Sequence, residues 1–145
     1  MRYMMIIQAP ESAFPTDPAA MNESFESMGR YNTELVEAGV LLAAEGLASS
    51  AEGFTVTKDD PASESAIVTD GPFTEAKELI AGFWILDVAS RVEAEQWARR
   101  CPVGPGVTLA VRRVPDFREF SDVAPAEVID AEAALRSRIA ERNAR

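Results

Sequence analysis

Asp70, Glu75, Lys77 and Glu78 crowd into one short segment, Thr69-Asp70-Gly71-Pro72-Phe73-Thr74-Glu75-Ala76-Lys77-Glu78, and are the residues of this chain best suited to chemistry. Carboxylates beside an ammonium group can form a polar floor. Lys77 would orient an anionic group on it, and a Glu withdrawn from water would act as acid or acceptor. Glu45 lies in a separate motif that can approach this segment once the chain folds. Glu45, Asp70, Lys77 and Glu78 are therefore the candidate ligand-binding residues, and no residue is assigned a catalytic role. The same groups also have an architectural reading, in which Asp70 accepts hydrogen bonds from turn amides and Lys77 pairs with Glu45, Glu75 or Glu78 to fix the loop. Gly71 and Pro72 are structural on either reading.

Several chemistries are closed to this sequence. It contains no histidine, so a general acid or base must be a shifted carboxylate, Lys, Tyr or Cys. Cys101 is the single cysteine, which rules out an internal disulfide and multi-thiolate zinc sites. At the C-terminal end of a helix its thiol is expected to be packed and inert. The acids follow no EF-hand spacing, and no metal or cofactor is expected. No Walker pattern, glycine-rich phosphate loop or nucleophile elbow appears. With 24 Asp and Glu against 14 Lys and Arg, the net charge of −10 repels phosphate backbones and anionic bilayers, so neither nucleic acid nor membrane is an expected partner. The short apolar run at Met1 to Ile7 is too brief for a signal peptide, and the expected location is cytoplasmic.

The elements that must position these groups follow from periodicity. Residues 2 to 8 read as a buried strand bounded by Ala9-Pro10. Asp17-Pro18 is an N-cap followed by proline at the first helical position. The stripe Met21, Phe25, Met28 and Leu35, interrupted by Asn32, then predicts a helix ending at Gly39. Val40 to Leu47 reads as a strand. Gly53 to Lys58 and Ser65 to Thr69 read as a hairpin around Asp59-Asp60-Pro61. The run Leu79 to Val88 is apolar on both faces, as in a central strand covered on both sides. Ser90-Arg91-Val92-Glu93 is a capping box for a helix to about Cys101, where Pro102 ends it. Val107, Leu109 and Val111 mark a last strand with one buried face. Phe83, Trp84 and Trp97 are read as core aromatics in preference to the lining of an apolar pocket.

That order predicts an α+β, ferredoxin-like antiparallel sheet with two helices on one face and an inserted hairpin, spanning residues 1–115. Phe83 and Trp84 point to opposite faces of one strand, so the helices cover only one of them and the other needs a partner. Residues 116–145 read as a C-terminal extension whose helix carries the stripe Val128, Ala131, Leu135 and Ile139. That helix is expected to dock on the domain or on a partner chain.

The segment Asp70-Gly71-Pro72-Phe73, with Gly39 to Leu47, Ala81-Gly82-Phe83-Trp84 and Trp97 to Pro102, closely resembles the DGPF branch of the YCII-related proteins. Gly71, Pro72, Phe73 and Gly82 are then motif residues with a structural role. The resemblance implies a dimeric α+β barrel, in which the sheets of two chains face each other. It implies a homodimeric small-molecule-binding or regulatory module, with a functional link to an extracytoplasmic-function sigma factor. The alternative is a cofactor-independent enzyme of isomerase or monooxygenase type. The histidine and aspartate pair that serves some YCII-related proteins has no counterpart in this histidine-free chain.

Overall fold

A computed structural model describes residues 1–58, 66–73 and 78–144. Its contacts divide the chain into two compact units, Met1–Arg113 and Val114–Arg145. The first unit opens with strand β1 (Arg2–Ala9), helix α1 (Pro18–Glu37) and strand β2 (Leu41–Gly46), and continues with β3 (Phe54–Thr57), β4 (Ile67–Asp70), β5 (Leu79–Asp87), α2 (Arg91–Arg100) and β6 (Thr108–Val114). β2, β5, β1 and β6 form one sheet in that order, while β3 and β4 form a separate antiparallel ribbon. β5 lies antiparallel between β2 and β1. The path β1-α1-β2 therefore straddles β5, and β5-α2-β6 straddles β1, giving two interleaved split βαβ units.

The helix ends follow their local chemistry. Asp17 Oδ2 accepts from the Ala20 amide at 3.0 Å, Pro18 takes the first helical position, and Gly39 leaves α1 at a φ of +69°, where a side chain would be strained. Ser90 Oγ accepts from the Glu93 amide, opening α2. The Glu93 carboxylate accepts from the Ala89 amide, one residue before the N-cap, so the reciprocal bond of the expected box is displaced by a residue.

Both helices cover the same face of the sheet. Tyr3 and Met5 of β1, Trp84 and Leu86 of β5, Tyr31 and Leu35 of α1, Ala94 of α2, and Val40, Val88 and Cys101 between elements make one core, with the Tyr31 ring set edge-on to Trp84 at 6.0 Å. The α1 stripe departs from its sequence reading: Phe25 is 67% exposed and Met21 is exposed, so only the C-terminal half of the helix, through Met28, Tyr31 and Leu35, is anchored. Asn32, which interrupts the stripe, accepts from the Trp84 indole Nε1 at 2.8 Å. A buried indole needs such an acceptor, and a leucine there would have left it unpaired. The β5 run reads as covered on both sides, yet α1 and α2 bury only the Trp84 and Leu86 side chains of it, and Ile80 is 53% exposed. Phe83 and Ile85, on the other face, are half-buried. β6 lies at the sheet edge, and its Leu109 is half-buried while Val111 is exposed.

The second unit holds a short 3-10 turn at Phe117–Phe120, capped by Asp116, and helix α3 (Ala126–Asn143). Val128, Leu135 and Ile139 of its stripe are 48%, 48% and 58% exposed. Among the described residues no helix is long and apolar enough to cross a membrane.

Candidate functional site

The turn after β4 is seated on the short turn that runs from Ser49 to Gly53. The Gly71 amide donates to Gly53 O at 2.8 Å, and the Phe73 amide donates to Ser50 Oγ at 3.3 Å. A Cβ added to Gly71 would lie 1.7 Å from Ser50 O, so only glycine allows this approach of two backbones. The Gly71-Pro72 peptide is cis. The Phe73 ring lies over Gly53, 3.6 Å from where a Cβ there would stand. The short turn that carries Ser50 is itself held from outside. Glu11 Oε1, just past β1, accepts from the Ser50 amide at 2.7 Å and from Ser49 Oγ at 3.1 Å. The Ser50 amide is the main cause that holds the Glu11 carboxyl below its ordinary pKa.

Glu11, Ser49, Ser50 and Gly53 do not stand out in the sequence as site residues. The one local signal is the Ser49-Ser50 pair, whose hydroxyls suit turn amides and whose Ser49 Oγ accepts from the Ala51 amide at 3.3 Å. The amides after Asp70 are satisfied by Ser50 and Gly53, not by the Asp70 carboxylate as the architectural reading has it. Glu45, Asp70 and Glu78 are all exposed, so none is the carboxylate withdrawn from water that the sequence suggests. None is joined to another described residue by a side-chain hydrogen bond or ion pair. Lys77 and Glu75 lie outside the described residues.

Glu45 stands in a definite place. It is in register with Phe83 on β5, which is in register with Ile6 on β1; the next row is Ala43, Ile85 and Met4. Cross-strand partners share a face, and Ala44, Trp84 and Met5 between these rows belong to the covered face. Glu45 thus ends an apolar row on the face that α1 and α2 leave uncovered. β2 reaches β5 closely at this point. A Cβ on Gly82 would come within 2.8 Å of Glu45 O, which accounts for the glycine in Ala81-Gly82-Phe83-Trp84. Asp70, by contrast, ends the β3–β4 ribbon opposite Phe54, and Glu78 immediately precedes β5.

Cys101 and Tyr31 are withdrawn from nucleophilic and acid-base work. Burial pushes the Cys101 thiol up to about 12. Burial also raises the Tyr31 phenol, whose hydroxyl donates to Trp97 O at 2.9 Å. Among the described residues no group of three or more acidic, Cys or His side chains is placed to hold a metal ion.

The first unit is thus a mixed α+β protein built on a four-stranded antiparallel sheet, with a two-stranded ribbon leading into the Asp70 to Phe73 turn. Residues 1–118 match the YCII-related domain, and the chain belongs to that family. No curated protein matches the chain significantly.

Proposed function

We propose that this protein is a homodimeric small-molecule-binding or regulatory module of the DGPF branch, with its ligand held between two sheets facing each other as a dimeric α+β barrel. The observation that carries this reading is the row Ile6, Phe83 and Glu45, an apolar floor that ends in a carboxylate on the sheet face that α1 and α2 leave uncovered. A face of this composition favours a partner, and a carboxylate at its edge favours a small organic ligand with an amine or hydroxyl to donate. Asp70 and Glu78 belong to the same proposal as polar ligand-binding groups, together with Lys77 as the sequence assigns it. The regulatory form draws on the association of the DGPF branch with extracytoplasmic-function sigma factors.

Binding is favoured over turnover because the chain has no histidine and because Cys101 and Tyr31 hold their protons more tightly than usual. An enzymatic reading rests on Glu45 alone. In that reading Glu45, covered by a second sheet, accepts a proton from a bound substrate. Thermal-shift screening with small amines and hydroxy compounds tests the binding reading, followed by amide NMR mapping of the hits. Ligands should shift the resonances of Ile6, Phe83 and Glu45 and lose affinity for Glu45→Gln. Hits that bind Glu45→Gln equally well, or that leave this row unperturbed, would sink it.

A further inference from the structure

A second concavity lies on the opposite, helix-covered side of the sheet. Between α2 and the sheet edge runs a groove of about 560 Å³, lined by Tyr3, Arg91, Ala94, Glu95, Ala98, Arg99, Leu109 and Val111. Its depth comes from the sequence of α2. Ala94 and Ala98 are one helical turn apart and present no bulk to Leu109 and Val111 on β6, so the edge strand keeps an unfilled apolar surface. The volume lies within the range of small-molecule sites.

Two polar groups there make no hydrogen bond or ion pair to a described residue. Tyr3 is 7% exposed, and its hydroxyl makes no hydrogen bond to any described residue. Since no fully buried side-chain oxygen or nitrogen among the described residues lacks a partner, this hydroxyl must reach solvent, and the surface that Tyr3 lines is the groove. The ring is packed while its hydroxyl opens on the groove, where an acceptor on a bound molecule can take its proton in a hydrogen bond. Arg91, at the first position of α2, also makes no hydrogen bond or ion pair to a described residue, and it stands where the helix dipole adds positive potential. Glu95 is the one anion on the groove wall. Its Oε1 takes two bonds from Arg99, at 3.1 and 2.7 Å, and Arg91 attracts it more weakly without a direct bond, so two guanidinium groups face one carboxylate and the wall keeps a net positive charge.

We infer that this groove is a binding site for a small amphipathic carboxylate, an aryl or alkyl acid. Its apolar body lies on Ala94, Ala98, Leu109 and Val111, and its carboxylate accepts from the Tyr3 hydroxyl and from Arg91. The two donors supply what a carboxylate needs, the alanines supply room for a ring or chain, and a net positive wall stands out in a chain of net charge −10. The site is separate from the Ile6, Phe83 and Glu45 row, which lies on the other face of the same sheet.

Titration of the full chain with decanoate, phenylacetate and the neutral phenylacetamide, followed by amide NMR, tests this assignment. The two acids should give saturable shifts at Tyr3, Ala94, Ala98 and Leu109, and phenylacetamide should bind more weakly. Tyr3→Phe and Arg91→Gln should each raise the Kd for the acids about 10-fold, the loss expected for one hydrogen bond to a charged group. Arg91 is exposed, so Arg91→Gln remains a clean test even if Tyr3→Phe does not fold. Absence of saturable shifts at millimolar acid overturns the assignment, as does undiminished binding to Arg91→Gln. Shifts confined to Ile6, Phe83 and Glu45 overturn it while leaving the sheet-face proposal standing. Groove resonances that move with protein concentration alone would mean that a second copy fills the groove, and would also overturn it.

Discussion

At Gly71 the identity of one residue is decided by a distance. Its Cα stands so close to the Ser50 carbonyl that a methyl group would come within 1.7 Å of the oxygen, and backbone cannot yield as the tip of a flexible side chain does. Gly71→Ala must therefore lift the turn off Ser50 and give up the bonds from the Gly71 and Phe73 amides. We expect it to cost about 1–3 kcal/mol in urea denaturation, the range for forced overpacking. Amide exchange at Phe73 should quicken at the same time. An alanine variant with unchanged stability and exchange would show that the contact is not held in solution. Asn32 makes the complementary case. Its type looks out of place in a helical stripe, and only the partner across the core, the Trp84 indole, explains it.

Among the elements, the turn after β4 owes its place to a relay through Ser50 to Glu11. Glu11 is depressed chiefly by the Ser50 amide. A carboxylate whose pKa is lowered by folding contributes stability above its unfolded pKa and loses it as pH falls through the folded one. The melting-temperature advantage of wild type over Glu11→Gln should therefore be full at neutral pH and shrink below about 4.5, the ordinary value for the group. An advantage that stays constant into acid would remove Glu11 from the relay. The boundaries of α1, α2 and the ribbon are legible from caps and turn residues, because these signals act over a few residues. The Glu11–Ser50 clamp is not, because its partners are far apart in sequence and neither has an unusual neighbourhood.

For the molecule as a whole, the proposed dimer rests on the sheet face that α1 and α2 leave uncovered. Large apolar surfaces are uncommon on monomers, and a two-fold pairing of such faces is self-complementary. Light scattering of the wild type at micromolar concentration should give twice the chain mass. Phe83→Glu, which sets a charge in the middle of the Ile6 and Glu45 row, should shift it to the monomer while leaving the core residues Trp84 and Leu86 in place. A wild-type monomer would remove the basis of the proposed cleft, and a Phe83→Glu dimer would move the interface elsewhere.

The sequence alone determined the mixed α+β class, the order of the main strands and helices, the inserted hairpin and the opposite facing of Phe83 and Trp84. These depend on periodicity and on local backbone preference, which each short segment carries by itself. The resemblance carried by the Asp70 to Phe73 motif pointed to the YCII-related family, to which the chain belongs. What only the tertiary structure decided is which groups meet: Asn32 with Trp84, Glu11 with Ser50, Ser50 with Gly71 and Phe73, and Tyr3 with Arg91 along one groove. Such meetings arise from strand register and helix packing between segments distant along the chain. A hydroxyl or carboxylate carries no local mark of the partner it will find there.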